Sequence, residues 1–151
     1  MRAILQRVEK SSVRVDGEVV GAIGRGVLVL LGVQKGDSSA DALALAAKLA
    51  SLRMFEDEHG KMNLDAAAVG GEFLVVSQFT LGASLARGRR PSFNSAAHPN
   101  VARPLVEAVM TDLAGRGFTV AGGRFGATMQ VELVNDGPVT FVLDVSGGRV
   151  H

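Results

Sequence analysis

The sequence predicts a single α+β domain over residues 1–151, in which mostly antiparallel strands form a barrel-like sheet accompanied by two helices. Three observations lead to this prediction. The chain has 151 residues, which is the size of one ordinary domain. Apolar residues make up 47% of it, with no Trp and no Tyr, so the core is expected to be aliphatic. Short apolar runs bounded by turn residues outnumber the segments with helical spacing.

The first part of the chain is predicted to form antiparallel strands. Asp16-Gly17 separates two strand-like segments and is a strong signal for a two-residue hairpin. A later apolar run has glycine at both ends, which suits a strand buried on both faces. The strands predicted here are Ala3–Val8, Ser12–Val15, Glu18–Ile23 and Gly26–Gly32.

The first helix is predicted to begin at the cap Asp37-Ser38-Ser39 and to end near Arg53. Within it, Leu45, Leu49 and Leu52 are spaced four and three residues apart. This spacing places the three leucines in one stripe, which is the pattern of a helix that buries one face.

The middle of the chain contains a buried strand, a long loop and the second helix. The strand is predicted over Glu72–Gln78, and a loop of roughly 20 residues runs from Leu81 to about Asn100; loops of that length are usually functional. The second helix is predicted over Val101–Ala114. Pro104 then lies in its first turn, where the missing N–H costs little.

Three further strands are predicted near the end of the chain, at Thr119–Arg124, Met129–Val134 and Val139–Val145. The turn-forming residues Asn135-Asp136-Gly137 are expected to join the last two as a hairpin. Residues 146–151 are expected to fray.

The composition excludes several classes of site. The chain has no cysteine, which rules out disulfides, thiolate metal sites and a cysteine nucleophile. Its three histidines, His59, His98 and His151, lack partners at metal-ligand spacing. We therefore expect no metal and no cofactor. No apolar stretch approaches the ~18 residues of a membrane span, and no signal peptide is recognisable, so a cytoplasmic protein with no membrane partner is expected.

A basic segment lies in the second half of the chain. No acidic residue occurs between Glu72 and Glu107, whereas this segment carries four arginines. Such a patch can bind phosphate or another anion, and a solvated arginine face is the equal alternative. The arginines are Arg87, Arg89, Arg90 and Arg103.

Two segments could carry chemistry. Ser77-Gln78-Phe79-Thr80 ends a buried strand with polar residues just before the basic loop, where backbone N–H groups can become free; a strand fraying into a polar turn is the simpler interpretation. Gly137-Pro138 follows the turn residues Asn135-Asp136. It is either part of an ordinary hairpin or a position where a cis peptide occurs, as in roughly 5–6% of X–Pro bonds.

Taken together, the motifs of this chain resemble those of the D-aminoacyl-tRNA deacylases, also called D-tyrosyl-tRNA deacylases. Each motif alone is weak, but six of them occur in the order found in that family. They are Gln6-Arg7-Val8, Gly60-Lys61-Met62-Asn63-Leu64, Val76-Ser77-Gln78-Phe79-Thr80-Leu81, Gly88-Arg89-Arg90-Pro91-Ser92-Phe93, Gly123-Arg124-Phe125-Gly126-Ala127 and Asn135-Asp136-Gly137-Pro138-Val139-Thr140.

The resemblance implies a metal-independent ester hydrolase that releases D-amino acids from tRNA and rejects L-amino acids, with mischarged glycyl-tRNA as a further substrate. It also implies a cytoplasmic homodimer with two active sites at the subunit interface. Ser77, Gln78, Phe79 and Thr80 would line one wall of the active site, and backbone N–H groups near Phe79 would form an oxyanion hole.

The resemblance assigns the remaining site residues as well. Gly137-Pro138 would be cis and reach across from the partner subunit, and Arg7 would help to hold it. Phe125 and Met129 would lie near a pocket for the terminal adenosine, although a plain core role fits them equally. We expect at least one of the arginines of the basic loop to meet tRNA phosphate. These are Arg87, Arg89 and Arg90. The segment Gly82-Ala83-Ser84-Leu85-Ala86 is less polar than in the family.

Overall fold

The computed structural model describes residues 1–151, and a curled seven-stranded mixed sheet forms its centre. Two helices and a separate two-stranded sheet accompany it, so the predicted α+β class is confirmed. In chain order the elements are β1 (Arg2–Val15), β2 (Glu18–Ile23), β3 (Gly26–Gly32), α1 (Ser39–Ser51), β4 (Phe55–Glu56), β5 (Met62–Leu64), β6 (Glu72–Ser77), a 3₁₀ helix (Phe79–Gly82), α2 (Pro99–Gly115), β7 (Val120–Gly122), β8 (Gln130–Ser146) and β9 (Arg149–Val150).

Strand β1 organises the sheet because it pairs along both of its edges. On one edge, antiparallel β3 covers its first half and antiparallel β2 its second half. On the other edge β8 pairs antiparallel along nearly the whole length. Strands β3, β6 and β7 continue the sheet in parallel, and β9 pairs with the end of β8. The sheet is therefore mixed, with antiparallel pairs around β1.

The sheet curls until β2, which pairs with β1 outside the main strand order, meets the end strand β7. Strands β2 and β7 come into contact without pairing. A Cβ atom on Gly21 of β2 would overlap the carbonyl oxygen of Gly122 in β7. Glycine at position 21 thus permits the close backbone approach that gives the sheet its barrel-like curvature.

Both faces of the sheet are buried in separate hydrophobic clusters. The larger one lies between the sheet and the helices, where Val27, Val29 and Leu31 of β3 pack with residues of α1 and α2. The smaller one includes Leu28 of the same strand and Leu74 of β6. The alternation along β3 explains why its sequence is apolar at every position.

Helix α1 confirms the first predicted helix, and Asp41 secures its beginning. The Asp41 carboxylate accepts hydrogen bonds from the Ser38 N–H at 2.7 Å and from the Ser38 hydroxyl at 2.9 Å. It also accepts a hydrogen bond from the N–H of Gly148 at 2.8 Å. The helix ends at Ser51, two residues before the predicted end.

Helix α2 begins at Pro99, two residues before the predicted start. His98 occupies the N-cap position, and its ring nitrogen accepts a hydrogen bond from Asn100 N–H at 3.3 Å. The prediction that Pro104 lies in the first turn is wrong, because Pro99 takes that place and Pro104 falls inside the helix. Pro104 is exposed, so water can reach the backbone carbonyl that lacks a donor there.

The predicted C-terminal hairpin is wrong, because strand β8 runs through its position. Residues 130–134 and 140–144 both pair with β1 in the same antiparallel direction, so no chain reversal separates them. Four residues, Asp136–Val139, instead bulge out opposite the single residue Arg7. We call this segment the β8 bulge. The predicted break between Val8 and Ser12 is also absent, because β1 continues through it.

The end of the chain is ordered and does not fray as expected. Gly147 and Gly148 have φ values of 58° and 70°, which suit a tight turn. Strand β9 then pairs back onto Val145 and Ser146.

The predicted long loop is held in place at both ends. It begins with the 3₁₀ helix, and Ala97 N–H donates to the Val33 carbonyl at 3.0 Å near its end. Between these points Ser84 and Ser92 exchange two backbone hydrogen bonds of 2.7 and 3.0 Å. The segment Ser84–Ser92 carries three arginines at its tip, and we call it the arginine loop. Neither helix of the chain is long and apolar enough to span a membrane.

Candidate active site

A cleft of about 540 Å³ opens where β6 runs into the 3₁₀ helix. Its other walls come from the first turns of α2 and from the segment that leads into β8. Eleven of its fifteen lining residues are hydrophobic. Its size falls within the range of small-molecule sites. The lining residues are Leu31, Val33, Val76, Ser77, Gln78, Phe79, Ala97, Pro99, Ala102, Val106, Phe125, Gly126, Ala127, Met129 and Val131.

The floor of the cleft is the end of β6, where strand pairing stops. Ser77 is the last residue of β6 to pair with β3, and Gln78 N–H still donates to the Leu31 carbonyl at 2.8 Å. The chain then turns into the 3₁₀ helix, whose first hydrogen bond runs from Leu81 N–H to the Gln78 carbonyl. The N–H groups of Phe79 and Thr80 precede that bond and have no acceptor in the chain. Two adjacent donors are thus free beside the cleft.

The Thr80 hydroxyl is bound by a neighbouring amide. Gln78 Nε2 donates to Thr80 Oγ1 at 2.6 Å, and Thr80 is itself exposed. None of the cleft-lining residues is titratable, so no side chain lining the cleft can act as a general base. Of the four residues predicted for this wall, Ser77, Gln78 and Phe79 line the cleft, and Thr80 lies at its edge.

Phe79 is the most exposed aromatic side chain in this region, at 59%. It contacts only one other aromatic ring, that of Phe93 just beyond the arginine loop, with ring centroids 5.1 Å apart. An exposed aromatic pair beside a cleft is a feature of binding surfaces.

Phe125 and Met129, predicted to lie near an adenosine pocket, both line the cleft, and both also pack against the core. Phe125 packs on the larger hydrophobic cluster and Met129 on the smaller one. A Cβ atom on Gly123 would collide with the Met129 sulfur, so glycine at 123 makes room for this side chain. The Arg103 guanidinium lies over the Phe125 ring, 4.9 Å from its centroid.

The β8 bulge contains a cis peptide bond between Gly137 and Pro138 and is held by Arg7. This arginine is 3% exposed. Its Nε donates to the carbonyl of Asp136 at 2.9 Å and lies 3.0 Å from the Asp136 carboxylate. Its Nη1 donates to the Met54 carbonyl at 2.8 Å. Arg7 thus binds Asp136, the residue before Gly137-Pro138, and makes no hydrogen bond to either residue of the cis bond.

Asn135 closes the neck of the β8 bulge, a role that was not predicted from its position in the sequence. Its Nδ2 donates to the Arg7 carbonyl at 2.9 Å and to the Val139 carbonyl at 3.1 Å. A Cβ atom on Gly137 would collide with the Asn135 side chain. The bulge is thus a braced loop, but Gly137 and Pro138 do not line the cleft of their own chain.

The arginine loop stands apart from the cleft. Its three arginines are exposed and form no ion pair. None of them lines the cleft. They are Arg87, Arg89 and Arg90. Arg103, the fourth arginine of the basic segment, is the one that contacts a cleft residue. The sequence placed Arg103 in the predicted second helix and the other three in the loop, but it did not show that Arg103 contacts the cleft.

The side chains with displaced pKa values lie outside the cleft. A hydrogen bond to Asp144 raises the pKa of Arg2, and the same contact lowers the pKa of the Asp144 carboxyl. The pKa of Asp41 is lowered, chiefly by the hydrogen bond from Gly148 N–H. No group of three or more His, Asp or Glu side chains could hold a metal ion.

Comparison with known proteins connects this chain to one protein family. The family described as D-Tyr-tRNA(Tyr) deacylase matches residues 4–144. A D-aminoacyl-tRNA deacylase of Roseiflexus castenholzii is 59% identical over 144 residues, which cover 95% of this chain and 92% of the relative. The D-aminoacyl-tRNA deacylase of Heliobacterium modesticaldum is 56% identical over 149 residues, covering 99% of both chains.

Two solved structures share the fold. The c-Myc DNA Unwinding Element Binding Protein superposes with a TM-score of 0.89 at 38% identity, over 95% of this chain and 98% of its own. A probable eukaryotic D-amino acid tRNA deacylase gives a TM-score of 0.82 over 93% of this chain and 97% of its own. Its identity is 18%, so this second likeness concerns the fold alone.

Proposed function

This chain belongs to the D-Tyr-tRNA(Tyr) deacylase family, and from that premise we propose that it hydrolyses the ester linking a D-amino acid to tRNA. The products are the free amino acid and tRNA. The observation that carries the proposal is the pair of free N–H groups, Phe79 and Thr80, at the edge of an apolar cleft. We place the reaction in the cytoplasm, where aminoacyl-tRNA is used.

The chemistry requires little beyond those two donors. An aminoacyl ester is already activated, and its hydrolysis passes through a tetrahedral oxyanion. Preorganised N–H groups stabilise such an oxyanion, and losing one donor typically costs about 10²–10³ in rate. We propose that water attacks directly, with help from the neighbouring ribose 2′-hydroxyl. This reaction needs neither a bound metal nor a covalent intermediate.

The terminal adenosine is proposed to occupy the apolar part of the cleft. Phe125 and Met129 offer an aromatic ring and a polarizable sulfur, which suit a nucleobase. Ser77 and Gln78 line the same cleft, beside the free N–H groups. A nucleoside bound between them would bring its ester to the proposed oxyanion hole.

A covalent mechanism through Thr80 is the first alternative. A threonine nucleophile must lose its proton to a base. The neighbour of Thr80 Oγ1 is the Gln78 amide, which donates a hydrogen bond to it and cannot take up a proton. This contact favours direct water attack over a covalent Thr80 intermediate.

The second alternative is a nucleic-acid-binding protein without catalysis. Binding of that kind would use the arginine loop, depend steeply on salt and ignore the handedness of the amino acid. Incubation with matched D- and L-aminoacyl-tRNA separates the possibilities. We expect release of the D-amino acid, with the L-ester left intact. Equal persistence of both esters would leave only binding, and equal cleavage of both would refute chiral proofreading.

Selection against L-amino acids is proposed to come from the β8 bulge of a partner subunit. The bulge is braced by Arg7 and Asn135 yet lies away from its own cleft. In a homodimer it can reach the partner's cleft, where the backbone of Gly137 and Pro138 would occupy the space of an L side chain. Such a clash rejects many side chains at once. Glycine would escape it, so glycyl-tRNA is a proposed second substrate.

The shared-site arrangement is tested by the size of the active species. Exposed apolar side chains, Phe79 next to the cleft and Val142 on β8, are available for subunit contact. We expect a dimer in sedimentation experiments at micromolar concentration. A monomer with full activity would contradict the shared site without contradicting ester hydrolysis.

A further inference from the structure

Arg103 occupies the rim of the cleft and has no acidic partner. Its guanidinium lies 4.9 Å from the centroid of the Phe125 ring, which lines the cleft. On helix α2, Pro99, Ala102 and Val106 line the same cleft. Position 103 lies four residues after the first of these and three before the last, so its side chain emerges along the same side of the helix.

The donors of Arg103 are unused. It makes no hydrogen bond to any side chain or carbonyl and no ion pair. Glu107, one turn along α2, is spaced for an ion pair but stays beyond 4.0 Å. Contact with an aromatic ring uses the positive charge of a guanidinium and leaves its five N–H donors available. The side chain is exposed and is therefore open to a ligand.

The cleft determines what such a ligand must be. Its lining is mostly apolar and contains no charged residue, so it suits the uncharged base and sugar of a nucleoside. The carboxyl group of the amino acid is bound in the ester and carries no charge. The charged part of the nucleotide nearest the cleft is the phosphate on the 5′ side, which must leave the apolar lining at its rim.

We propose that Arg103, resting on Phe125, binds the 5′-phosphate of the nucleotide whose nucleoside lies in the cleft. The choice of ligand rests on the proposed function. Arginine is suited to the task because its planar donors match phosphate oxygens two at a time. This subsite is distinct from the arginine loop, whose arginines do not line the cleft. It fixes the terminal nucleotide, whereas the loop meets more distant parts of the tRNA.

The test compares adenosine with adenosine 5′-monophosphate by calorimetric titration at low salt. The native protein should bind the monophosphate about five- to tenfold more tightly, the range of one good charge-assisted contact. Arg103→Gln should remove that preference and leave the affinity for adenosine within about twofold. Arg103→Lys should retain part of it. Arg116→Gln is the matched control at the C-cap of the same helix, because Arg116 pairs with Asp112 at 2.6 Å, and it should change neither affinity.

Several outcomes would contradict phosphate binding by Arg103. Equal binding of the two ligands by the native protein would do so, as would no binding of the monophosphate at millimolar concentration. An Arg103→Gln variant that loses affinity for both ligands equally would show that Arg103 only supports Phe125. The measurement does not depend on hydrolysis. A protein that binds the monophosphate through Arg103 yet cleaves no D-aminoacyl-tRNA would keep the subsite and refute the proposed function.

Discussion

Replacing Arg7 with methionine should destabilise the protein far more than the same change at Arg2, although Arg2 has the shorter ion pair. Arg7 is 3% exposed and binds the carbonyl oxygens of Met54 and Asp136. Methionine can fill much of the same space but donates no hydrogen bond. The change therefore leaves the acceptors in place and removes their donor.

The stability lost in Arg7→Met follows from the burial of each acceptor that loses its donor. Met54 is 2% exposed, so its carbonyl loses its Arg7 donor where water has little access, at about 1–3 kcal/mol. The Asp136 side chain is 37% exposed, and water can replace part of what it loses. We expect a total loss of about 2–4 kcal/mol in the free energy of unfolding. For a chain of this size that lowers Tm by about 5–15 °C.

Arg2 provides the matched control on the same strand. Its Nε and Nη2 donate to Asp144 at 2.7 and 3.0 Å. The two side chains are 43% and 40% exposed, and exposed pairs contribute at most about 1 kcal/mol. Arg2→Met should therefore shift Tm by only a few degrees.

Thermal and urea unfolding measure the stability of both variants. The protein concentration is kept fixed, because subunit association would shift Tm. Equal destabilisation by Arg2→Met and Arg7→Met would show that burial does not decide the cost of losing the arginine. An Arg7→Met protein as stable as the native one would show that the β8 bulge does not depend on this side chain.

Three further predictions concern the site and the helix cap. Thr80→Ala keeps its backbone N–H and should retain deacylation within about tenfold, since each oxyanion donor contributes about 10²–10³; an acyl-Thr80 adduct detected by mass spectrometry would refute water attack. Changing all three arginines of the arginine loop to glutamine should weaken tRNA binding and reduce its log–log salt slope by about 0.7–0.9 for each phosphate that is no longer neutralised; an unchanged slope would return them to a solvated role. Asp41→Asn should cost about 1–3 kcal/mol at pH 7, because an amide cannot accept from both Ser38 and Gly148. Since the folded-state pKa of Asp41 is lowered, this stability is present above the unfolded pKa of about 3.9 and is lost as the pH falls through the folded value. Denaturation at several pH values should show that the difference in unfolding free energy between the native protein and Asp41→Asn narrows below pH ~4. A difference that does not change with pH would contradict this role of Asp41.

Elements specified by neighbouring residues could be predicted closely. Helix α1 combines a cap at Ser38 with an apolar stripe, and both signals lie within the helix itself. The hairpin at Asp16-Gly17 is equally local, and the two residues have φ values of 51° and 80°. Local signals therefore located these elements to within about two residues.

The predictions were wrong for elements that depend on pairing with distant strands. The predicted strands left a gap between Val8 and Ser12, but pairing with β8 carries β1 through it. Asn135-Asp136-Gly137 has the composition of a hairpin. Both flanking segments pair with β1 in the same direction, so these turn-forming residues begin a bulge instead of a hairpin.

The candidate site also combines features that local motifs predict with contacts between distant residues. The motif resemblance predicts Ser77, Phe79 and Phe125 as site residues, and the fold places all three along one cleft. The contact of Arg103 with Phe125 joins residues more than twenty positions apart. The sequence places Arg103 in the predicted second helix and the other three arginines in the loop, but it does not show which of them contacts the cleft.

The position of β1 between β3 and β8 has a consequence for how the chain folds. Arg2 and Asp144, which face each other across β1 and β8, are 142 residues apart in sequence. Contacts of such high order slow folding, because a long loop must close before they form. During synthesis at about 5–20 residues per second, β1 waits roughly 5–25 s for β8 to emerge. Over that interval one edge of β1 is an open template for aggregation, and the charges of Glu9 and Lys10 in mid-strand oppose pairing with other chains.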